Sequence, residues 1–397
     1  MGAKPEVLIA GGGIAGVEAA LALHALAPQE VHLRLLSPEP EFELKPLAVE
    51  EPFTGRPADR LDLRAALEEI GAEYVDGALS DVDADAGRVR FGYGSELGFD
   101  FLIVCTGART RCPYAGVETF WSNRSDLPID AMIDRAATAR RPLSLVVPPG
   151  TSWPLPLYEL ALLIRQRSEE LGFEGIELEI LTPESRPLGI FGDAGSAAVA
   201  DLLEVRGIAH VPRTHVRQTD GAGPLTVSTR AERLAPELVL ALPELRGPFV
   251  RGLPADTDGF LPVDELGRVE GCENIYAAGD GTDFPVKQGG LATQQADAVA
   301  EHIAMKLGAI EKAHGFEPVL RGRLLTGAET LSLRHALGAG ADDGDASREY
   351  LWWPAEKVAG RYLAAWLGRA DRTELQAPDR ALEIEVAVPH EWHARPL

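Results

Sequence analysis

Three glycines near the start of the chain have the spacing of a phosphate-binding turn. Gly11, Gly13 and Gly16 lie between an apolar run and an alanine-rich stretch. In that setting the first glycine permits a tight turn, the second lets the backbone approach a pyrophosphate, and the third lets a strand and a helix pack closely. Ile14 and Ala15 fall in the first turn of the predicted helix, whose free N–H groups and dipole favour an anion. The pattern predicts a dinucleotide site.

Two later strands end in residues that suit the same ligand. An apolar run over 99–105 stops at Thr106-Gly107, with Arg109 just beyond it, and a run over 274–278 stops at Gly279-Asp280. Asp280 is the expected acceptor for a ribitol hydroxyl, and a helix N-cap is the simpler alternative.

Together the three motifs resemble the FAD-binding flavoproteins of the pyridine nucleotide-disulfide oxidoreductase superfamily over about residues 5 to 305. The most similar members are sulfide:quinone oxidoreductases, flavocytochrome c sulfide dehydrogenase flavoproteins and type II NADH dehydrogenases. The resemblance implies FAD as the cofactor.

The charge balance limits the partners that the chain can have. It carries 38 basic and 61 acidic side chains, a net charge of −23, which disfavours nucleic acid and anionic lipid. No apolar run reaches the roughly 18 to 20 residues of a membrane span. We expect a cytoplasmic protein, with peripheral contact to the inner face of a membrane as the alternative. No metal site is predicted.

Alternating strand and helix patterns predict an α/β fold with two Rossmann-like dinucleotide-binding domains and a small C-terminal region. The predicted FAD-binding domain is discontinuous, because the second domain interrupts it as in the similar families. The predicted boundaries are 1–115 with 240–308 for the FAD-binding domain, 116–239 for a degenerate NAD(P)-binding-like domain, 309–370 for the C-terminal region and 371–397 for a tail. Further predicted strands are 31–36, 143–147, 176–181 and 238–242, and further predicted helices are 61–70, 157–170 and 194–206.

The segment after Asp280 is predicted to begin a helix that faces the flavin. Its N–H groups, near Leu291, Ala292 and Gln294, are expected to point at flavin O2 and N1, where negative charge accumulates on reduction. Lys287 would strengthen this effect, and its Pro-x-Lys context resembles the sulfide-oxidising flavoproteins. A surface lysine is the alternative.

The adenine end departs from the usual pattern. Dinucleotide folds place Asp or Glu at the end of the second strand, about 20 residues beyond the glycines, to hold ribose hydroxyls. This chain has Ser37 there, followed by Pro38 and Glu39, so either Glu39 reaches the ribose or Ser37 makes a weaker contact. The next segment resembles the one that passes beside the flavin in the similar families, which puts Lys45 and Pro46 near the cofactor.

The second domain lacks the glycines of a nicotinamide site. The loop over 148–159 contains four prolines and Trp153 instead, which removes N–H donors and fills space, so NADH binding in the usual mode is disfavoured. Sulfide oxidation in the similar families needs two cysteines beside the flavin, and Trp153 stands where one is expected. Cys105, Cys112 and Cys272 offer no evident redox pair, so the two-cysteine route is disfavoured as well.

Glu159 aligns with a glutamate of the type II NADH dehydrogenases, and this resemblance implies a role in proton handling. The alternative is that the Glu159 carboxylate only complements the dipole of the helix that begins there. Trp153 is expected to stack on the flavin or line its access.

In the C-terminal region Val358, Tyr362 and Trp366 fit one helical face. That face suits a membrane interface, and packing against the flavin domain or a dimer partner is the favoured interpretation.

The sequence therefore predicts an FAD-dependent oxidoreductase that passes two electrons from an unidentified small-molecule donor to a quinone-like acceptor, with Glu159, Lys287 and Trp153 at the reacting centre. Two alternatives stay open. One is an NAD(P)H dehydrogenase with a degenerate nicotinamide site, and the other is a non-catalytic flavoprotein that acts as a redox-responsive partner.

Overall fold

The computed structural model describes residues 4–56, 60–120, 126–218, 223–327, 330–338, 340, 343–353, 356–358 and 360–368. The predicted tail over 371–397 lies outside the described residues. The helices are, in chain order, α1 (Ile14–Leu26), α2 (Glu51–Thr54), α3 (Leu63–Glu69), α4 (Ile129–Ala139), α5 (Leu155–Glu170), α6 (Gly192–Val205), α7 (Gly289–Lys306) and α8 (Leu363–Leu367), with 3₁₀ turns at Lys45–Glu50, Gly189–Phe191 and Pro236–Leu238.

The strands are, in chain order, β1 (Glu6–Ala10), β2 (His32–Ser37), β3 (Glu41–Glu43), β4 (Arg60–Asp62), β5 (Glu73–Asp76), β6 (Leu79–Asp83), β7 (Arg88–Phe91), β8 (Ser95–Gly98), β9 (Phe101–Val104), β10 (Arg109–Arg111), β11 (Glu118–Thr119), β12 (Leu143–Val146), β13 (Leu178–Leu181), β14 (Ile208–Val211), β15 (Val216–Gln218), β16 (Leu225–Val227), β17 (Arg230–Leu234), β18 (Val239–Ala241), β19 (Glu244–Arg246), β20 (Ile275–Ala277), β21 (Val319–Leu325), β22 (Thr330–Ala336) and β23 (Asp345–Ser347).

The first parallel sheet has the strand order β20-β9-β1-β2-β5, so two distant stretches of chain build it. Its central strands are almost wholly apolar and buried, as expected for a parallel sheet covered on both faces. α1 and α7 pack against each other over this sheet through small buried side chains such as Ala19 and Ala296. Close packing of these helices brings the glycine turn after β1 beside the loop after β20.

The second parallel sheet has the order β11-β18-β12-β13-β14. Two parallel sheets with intervening helices confirm the predicted α/β class. One predicted strand lies in a different sheet: the sequence assigns the strand over 238–242 to the FAD-binding domain, but β18 pairs with β12 and β11 in the second sheet. A three-residue apolar strand carries no information about its partner, because only the surrounding packing selects one. The domain boundaries themselves stay predictions.

The C-terminal part adds an antiparallel sheet, β21-β22-β23, and the short helix α8. This antiparallel sheet packs, through buried Leu320 and Leu324, on the hydrophobic core of the second parallel sheet, called the second core below. α8 packs on the hydrophobic core of the first parallel sheet, called the first core below, where Tyr362 and Trp366 are each 1% exposed. These two aromatics are therefore buried in the protein and cannot lie at lipid headgroups. Among the described residues, no helix is long and apolar enough to cross a bilayer.

Candidate functional site

A cavity of about 260 Å³ opens where the carboxyl ends of the first sheet meet α5, β21 and the C-terminal segment. It collects residues from seven separate parts of the chain. The predicted site residues that line it are Gly13, Ile14, Ala15, Lys45, Pro46, Gly107, Trp153, Glu159, Gly279, Asp280, Lys287 and Ala292. Those that do not line it are Gly11, Gly16, Ser37, Pro38, Glu39, Thr106, Arg109, Leu291 and Gln294.

The glycine turn is closely packed at Gly11 and Gly16 and open at Gly13. Gly11 has a φ of +119°, and a Cβ there would lie 2.2 Å from the carbonyl oxygen of Cys105. A Cβ on Gly16 would lie 1.9 Å from the carbonyl oxygen of Gly11, so these glycines serve packing. A Cβ on Gly13 meets nothing within 4 Å, and Gly13 caps α1 without a side-chain hydrogen bond. The open space and free helix N–H groups fit the phosphates of FAD.

The end of β2 approaches the same turn. The Ser37 side chain is 1% exposed, its Oγ accepts a 3.3 Å hydrogen bond from the Glu39 backbone N–H, and it lies 2.9 Å from where a Gly12 Cβ would be. Pro38 and Glu39 are exposed beyond it. The hydroxyl of Ser37 is thus held against the glycine turn, whereas the Glu39 side chain lies in solvent. Thr106 and Arg109, on either side of Gly107 in the chain, are exposed too.

Asp280 and Lys287 form an electrostatic pair on the cavity wall. Burial raises the pKa of the Asp280 carboxyl, and the positive charges of Lys287 and Lys45 oppose that rise. The Lys287 ammonium donates to the backbone carbonyls of Thr282 and, at 2.7 Å, Phe284, and burial lowers its pKa to about 8. Lys287 is therefore held by protein carbonyls and acts on the cavity through its charge.

The start of α7 is organised by a residue that the sequence patterns did not single out. Gln288 precedes the helix, its Oε1 accepts from the Leu291 backbone N–H at 2.8 Å, and its Nε2 donates to the Arg321 carbonyl at 3.1 Å. The Leu291 N–H is thus already used. Gln294 binds both backbone groups of Val319 at 2.9 Å, which ties β21 to α7 and keeps the amide away from the cavity. A polar residue before Gly-Gly at a helix start is the signal that points to Gln288.

Glu159 forms a buried ion pair with Lys357, 198 residues further along the chain. The Lys357 Nζ donates to both carboxylate oxygens at 2.8 and 2.9 Å, and the Leu325 backbone N–H donates to Oε1 at 2.9 Å. The Glu159 side chain is 1% exposed and that of Lys357 is 9% exposed. Burial raises the pKa of the Glu159 carboxyl in spite of the Lys357 charge. Lys357 is one of only six lysines in the chain, and this rarity is the signal that could have pointed to it.

β21 supplies the remaining wall beside Trp153. Trp153 packs edge-on against Phe191 with ring centroids 5.7 Å apart, and a Cβ on Gly322 would lie 2.4 Å from Phe191 Cζ. Gly322 therefore lets the strand approach the second core closely, and the residues on either side of it, Arg321 and Arg323, line the cavity. The sequence patterns did not indicate these arginines.

The acidic residue that follows β13 in the second sheet accepts a hydrogen bond from a tyrosine on α5. Tyr158 is fully buried, and its hydroxyl donates to Glu184 Oε2 at 2.7 Å, while Thr182 Oγ1 donates to the same oxygen at 2.9 Å. In a dinucleotide fold, an acidic side chain after the second strand holds the ribose hydroxyls. In this chain the Glu184 carboxylate already accepts hydrogen bonds from Tyr158 and Thr182.

The three cysteines are free. Cys105 lines the cavity, and burial raises the pKa of its thiol to about 12, so it stays protonated. Cys112 is exposed, Cys272 is half-buried, and neither lines the cavity. Within the part of the chain that the structure describes, no cluster of histidine, cysteine and acidic side chains could hold a metal ion.

The chain is similar to known flavoproteins but matches no protein-family model. It is 23% identical over 328 residues to the sulfide-quinone reductase of Aquifex aeolicus, covering 75% of this chain and 76% of the relative. A crystal structure of the sulfide:quinone oxidoreductase from that bacterium superposes with a TM-score of 0.76 at 19% identity, covering 87% of each chain. The NDH2 of Plasmodium falciparum in complex with NADH superposes with a TM-score of 0.56 at 18% identity, covering 70% of this chain and 65% of its own.

Proposed function

We propose that this chain, an FAD-dependent oxidoreductase of the pyridine nucleotide-disulfide oxidoreductase superfamily, passes two electrons from a small-molecule donor through the flavin to a quinone-like acceptor. One observation carries the proposal. The glycine turn, Asp280 and Lys287 converge on the same cavity as the buried pair of Glu159 and Lys357. The residues that we propose for the cofactor and for proton handling therefore line one space.

FAD, when bound, supplies a group that accepts and releases two electrons. The turn at Gly13 and the N-terminus of α1 would hold its phosphates, and Asp280 would accept a hydrogen bond from a ribitol hydroxyl. The charge of Lys287 and the start of α7 favour the negative charge that a reduced flavin carries. We propose these roles for residues that line the cavity.

Glu159 and Lys357 would supply a proton to the acceptor. A quinone-like acceptor takes up two electrons and two protons to become a quinol, so a proton source beside it lowers the barrier. The carboxyl of Glu159 has a raised pKa and shares hydrogen bonds with the Lys357 ammonium, so a proton can pass between the two groups. Solvent at the cavity mouth would then reprotonate Glu159.

The quinone-like acceptor is supported by similarity to a sulfide-quinone reductase. NAD(P)H as the donor is disfavoured because Trp153, in the proline-rich loop, packs against Phe191 and because Glu184 already accepts a hydrogen bond from Tyr158. Sulfide oxidation by a cysteine pair is disfavoured because Cys105 is the one cysteine at the cavity. A peripheral membrane contact and a homodimer stay predictions, as does the cytoplasmic location.

The test is an anaerobic visible spectrum of the purified protein with FAD, followed by reduction and reoxidation. We expect an oxidised flavin spectrum, no bleaching by NADH or NADPH, and reoxidation of the dithionite-reduced protein by duroquinone. The Glu159→Gln variant should bind FAD like the parent protein but reoxidise more slowly. Failure to bind added FAD would refute the cofactor, rapid bleaching by NADH would favour the NAD(P)H dehydrogenase alternative, and stable flavin without turnover would favour the non-catalytic one.

A further inference from the structure

Asp280 lies in a tight turn that runs from Gly279 to Thr282, between β20 and α7. The Gly279 carbonyl accepts hydrogen bonds from the Thr282 backbone N–H at 3.1 Å and from Thr282 Oγ1 at 3.0 Å, and Gly279 has a φ of +85°. A Cβ on Gly279 would lie 3.0 Å from the Ala15 Cβ, so the turn passes close to α1. The shape of this turn therefore decides where the Asp280 carboxylate stands in the cavity.

One side chain of α7 joins both ends of the turn. Gln295 is 6% exposed, its Oε1 accepts from the Gly279 backbone N–H at 2.7 Å, and its Nε2 donates to Thr282 Oγ1 at 3.2 Å. A backbone N–H can only donate, so the amide oxygen of Gln295 must face Gly279. The Thr282 hydroxyl gives its proton to the Gly279 carbonyl, so it accepts from the amide nitrogen. The Gln295 amide is therefore held in one orientation, and both of its ends act on this turn.

Gln295 reaches the cavity through this turn, because Asp280 lines the cavity and Gln295 does not. A side chain that binds a ligand must be held within about 0.5 Å of its productive place, by neighbours whose own positions are fixed. Gln295 meets that need on both sides of Asp280. Its amide is neutral, so it fixes the turn without an added charge that would pair with the carboxylate.

We propose that Gln295 is the positioning residue for Asp280 and sets how tightly the protein holds FAD. This inference rests on the proposed function, because that function assigns a ribitol hydroxyl of FAD to the Asp280 carboxylate. Without the Gln295 amide, the buried N–H of Gly279 loses its acceptor, which is costly for a group out of contact with water. The turn then relaxes toward other conformations, and the carboxylate spends less time where a ribitol hydroxyl can reach it.

The experiment is a double-mutant cycle on FAD affinity, measured by fluorescence titration of the apoprotein with FAD. Asp280→Ala removes the acceptor and should weaken binding about 30-fold, as for a hydrogen bond to a charged group. Gln295→Met should weaken binding about tenfold. In the Asp280→Ala background the same change should weaken binding by less than about twofold, since no carboxylate is left to position. A general loss of structure would instead act equally in both backgrounds.

Gln218→Met is the matched control. Gln218, on β15, makes a similar pair of contacts: its Oε1 accepts from the Ala115 N–H at 2.7 Å, and its Nε2 donates to the Ala115 carbonyl at 3.0 Å. It does not line the cavity, so this variant should bind FAD like the parent protein. Thermal unfolding of the apoproteins checks that each variant is folded. Should Gln295→Met unfold, Thr282→Val takes its place in the cycle, because it removes the hydroxyl that Nε2 contacts.

An unchanged FAD affinity of Gln295→Met, equal effects in the two backgrounds, or an equal effect of Gln218→Met overturns the inference and leaves the proposed function standing. The proposed function fails, and the inference with it, if Asp280→Ala binds FAD like the parent protein or if the parent protein binds none.

Discussion

Glu18 carries a pH dependence that can be predicted from its surroundings. It is fully buried on α1, and its carboxylate accepts hydrogen bonds from the backbone N–H groups of Tyr362 at 2.8 Å and Leu363 at 2.6 Å. It also shares a hydrogen bond with the buried carboxyl of Asp297 on α7. Glu18 thus fastens the C-terminal segment over the helix that follows the glycine turn.

Burial raises the pKa of Glu18 from 4.5 to about 7, and the pKa of Asp297 moves upward for the same reason and because the two carboxyls repel. The folded state therefore holds more protons than the opened state between about pH 4.5 and 7. The stabilisation is fully present below that window and is lost as the pH rises through it. The shift of Glu18 corresponds to a loss on the order of 3 kcal/mol, which is about a 10²-fold change in an equilibrium constant.

Amide hydrogen exchange of the backbone over 356–368 measures this effect, after correction for the intrinsic pH dependence of exchange. We expect protection in the parent protein to fall about 10²-fold between pH 5 and pH 8. Glu18→Gln removes one titrating group and should flatten that fall. Glu69→Gln is the control, because Glu69 also binds α8, through Trp366 Nε1 at 3.1 Å, but is exposed. Equal or greater protection at pH 8, or the same flattening in Glu69→Gln, would refute the reasoning.

Four further predictions concern the cavity and the glycine turn beside it. Glu159→Gln should slow flavin reoxidation by duroquinone about 10²-fold in stopped-flow measurements and remove the fall in rate that the parent shows as the pH rises through the raised Glu159 pKa. Lys357→Met should cost about 3 kcal/mol of stability in thermal unfolding, because it leaves Glu159 buried without its cation, and adding Glu159→Gln should recover part of that loss. Gly16→Ala should destabilise the apoprotein by about 2 kcal/mol, because its Cβ would overlap the Gly11 carbonyl. Gly13→Ala should melt like the parent protein and weaken FAD binding about tenfold in fluorescence titrations, through loss of one phosphate contact.

The sequence by itself determined the fold class and the glycine turn that borders the cavity. Gly11, Gly13 and Gly16 have fixed spacing because a strand, a tight turn and a helix must meet there, and that requirement is local. The same holds for Thr106-Gly107 and Gly279-Asp280, which end strands of the first sheet. Apolar runs located the strands β2, β12 and β13 and the helices α3, α5 and α6 within about two residues of their observed ends, since burial sets their period.

Only the tertiary structure decided which distant residues meet. It joined Glu159 to Lys357 and brought Arg321 and Arg323 to the cavity. It also placed 239–241 in the second sheet, and of the surfaces that the sequence left open for Trp366 it selected the core of the first sheet. None of these contacts has a local signature, because a side chain's partner across the chain is selected by the packing of whole helices and sheets and not by its neighbours in sequence.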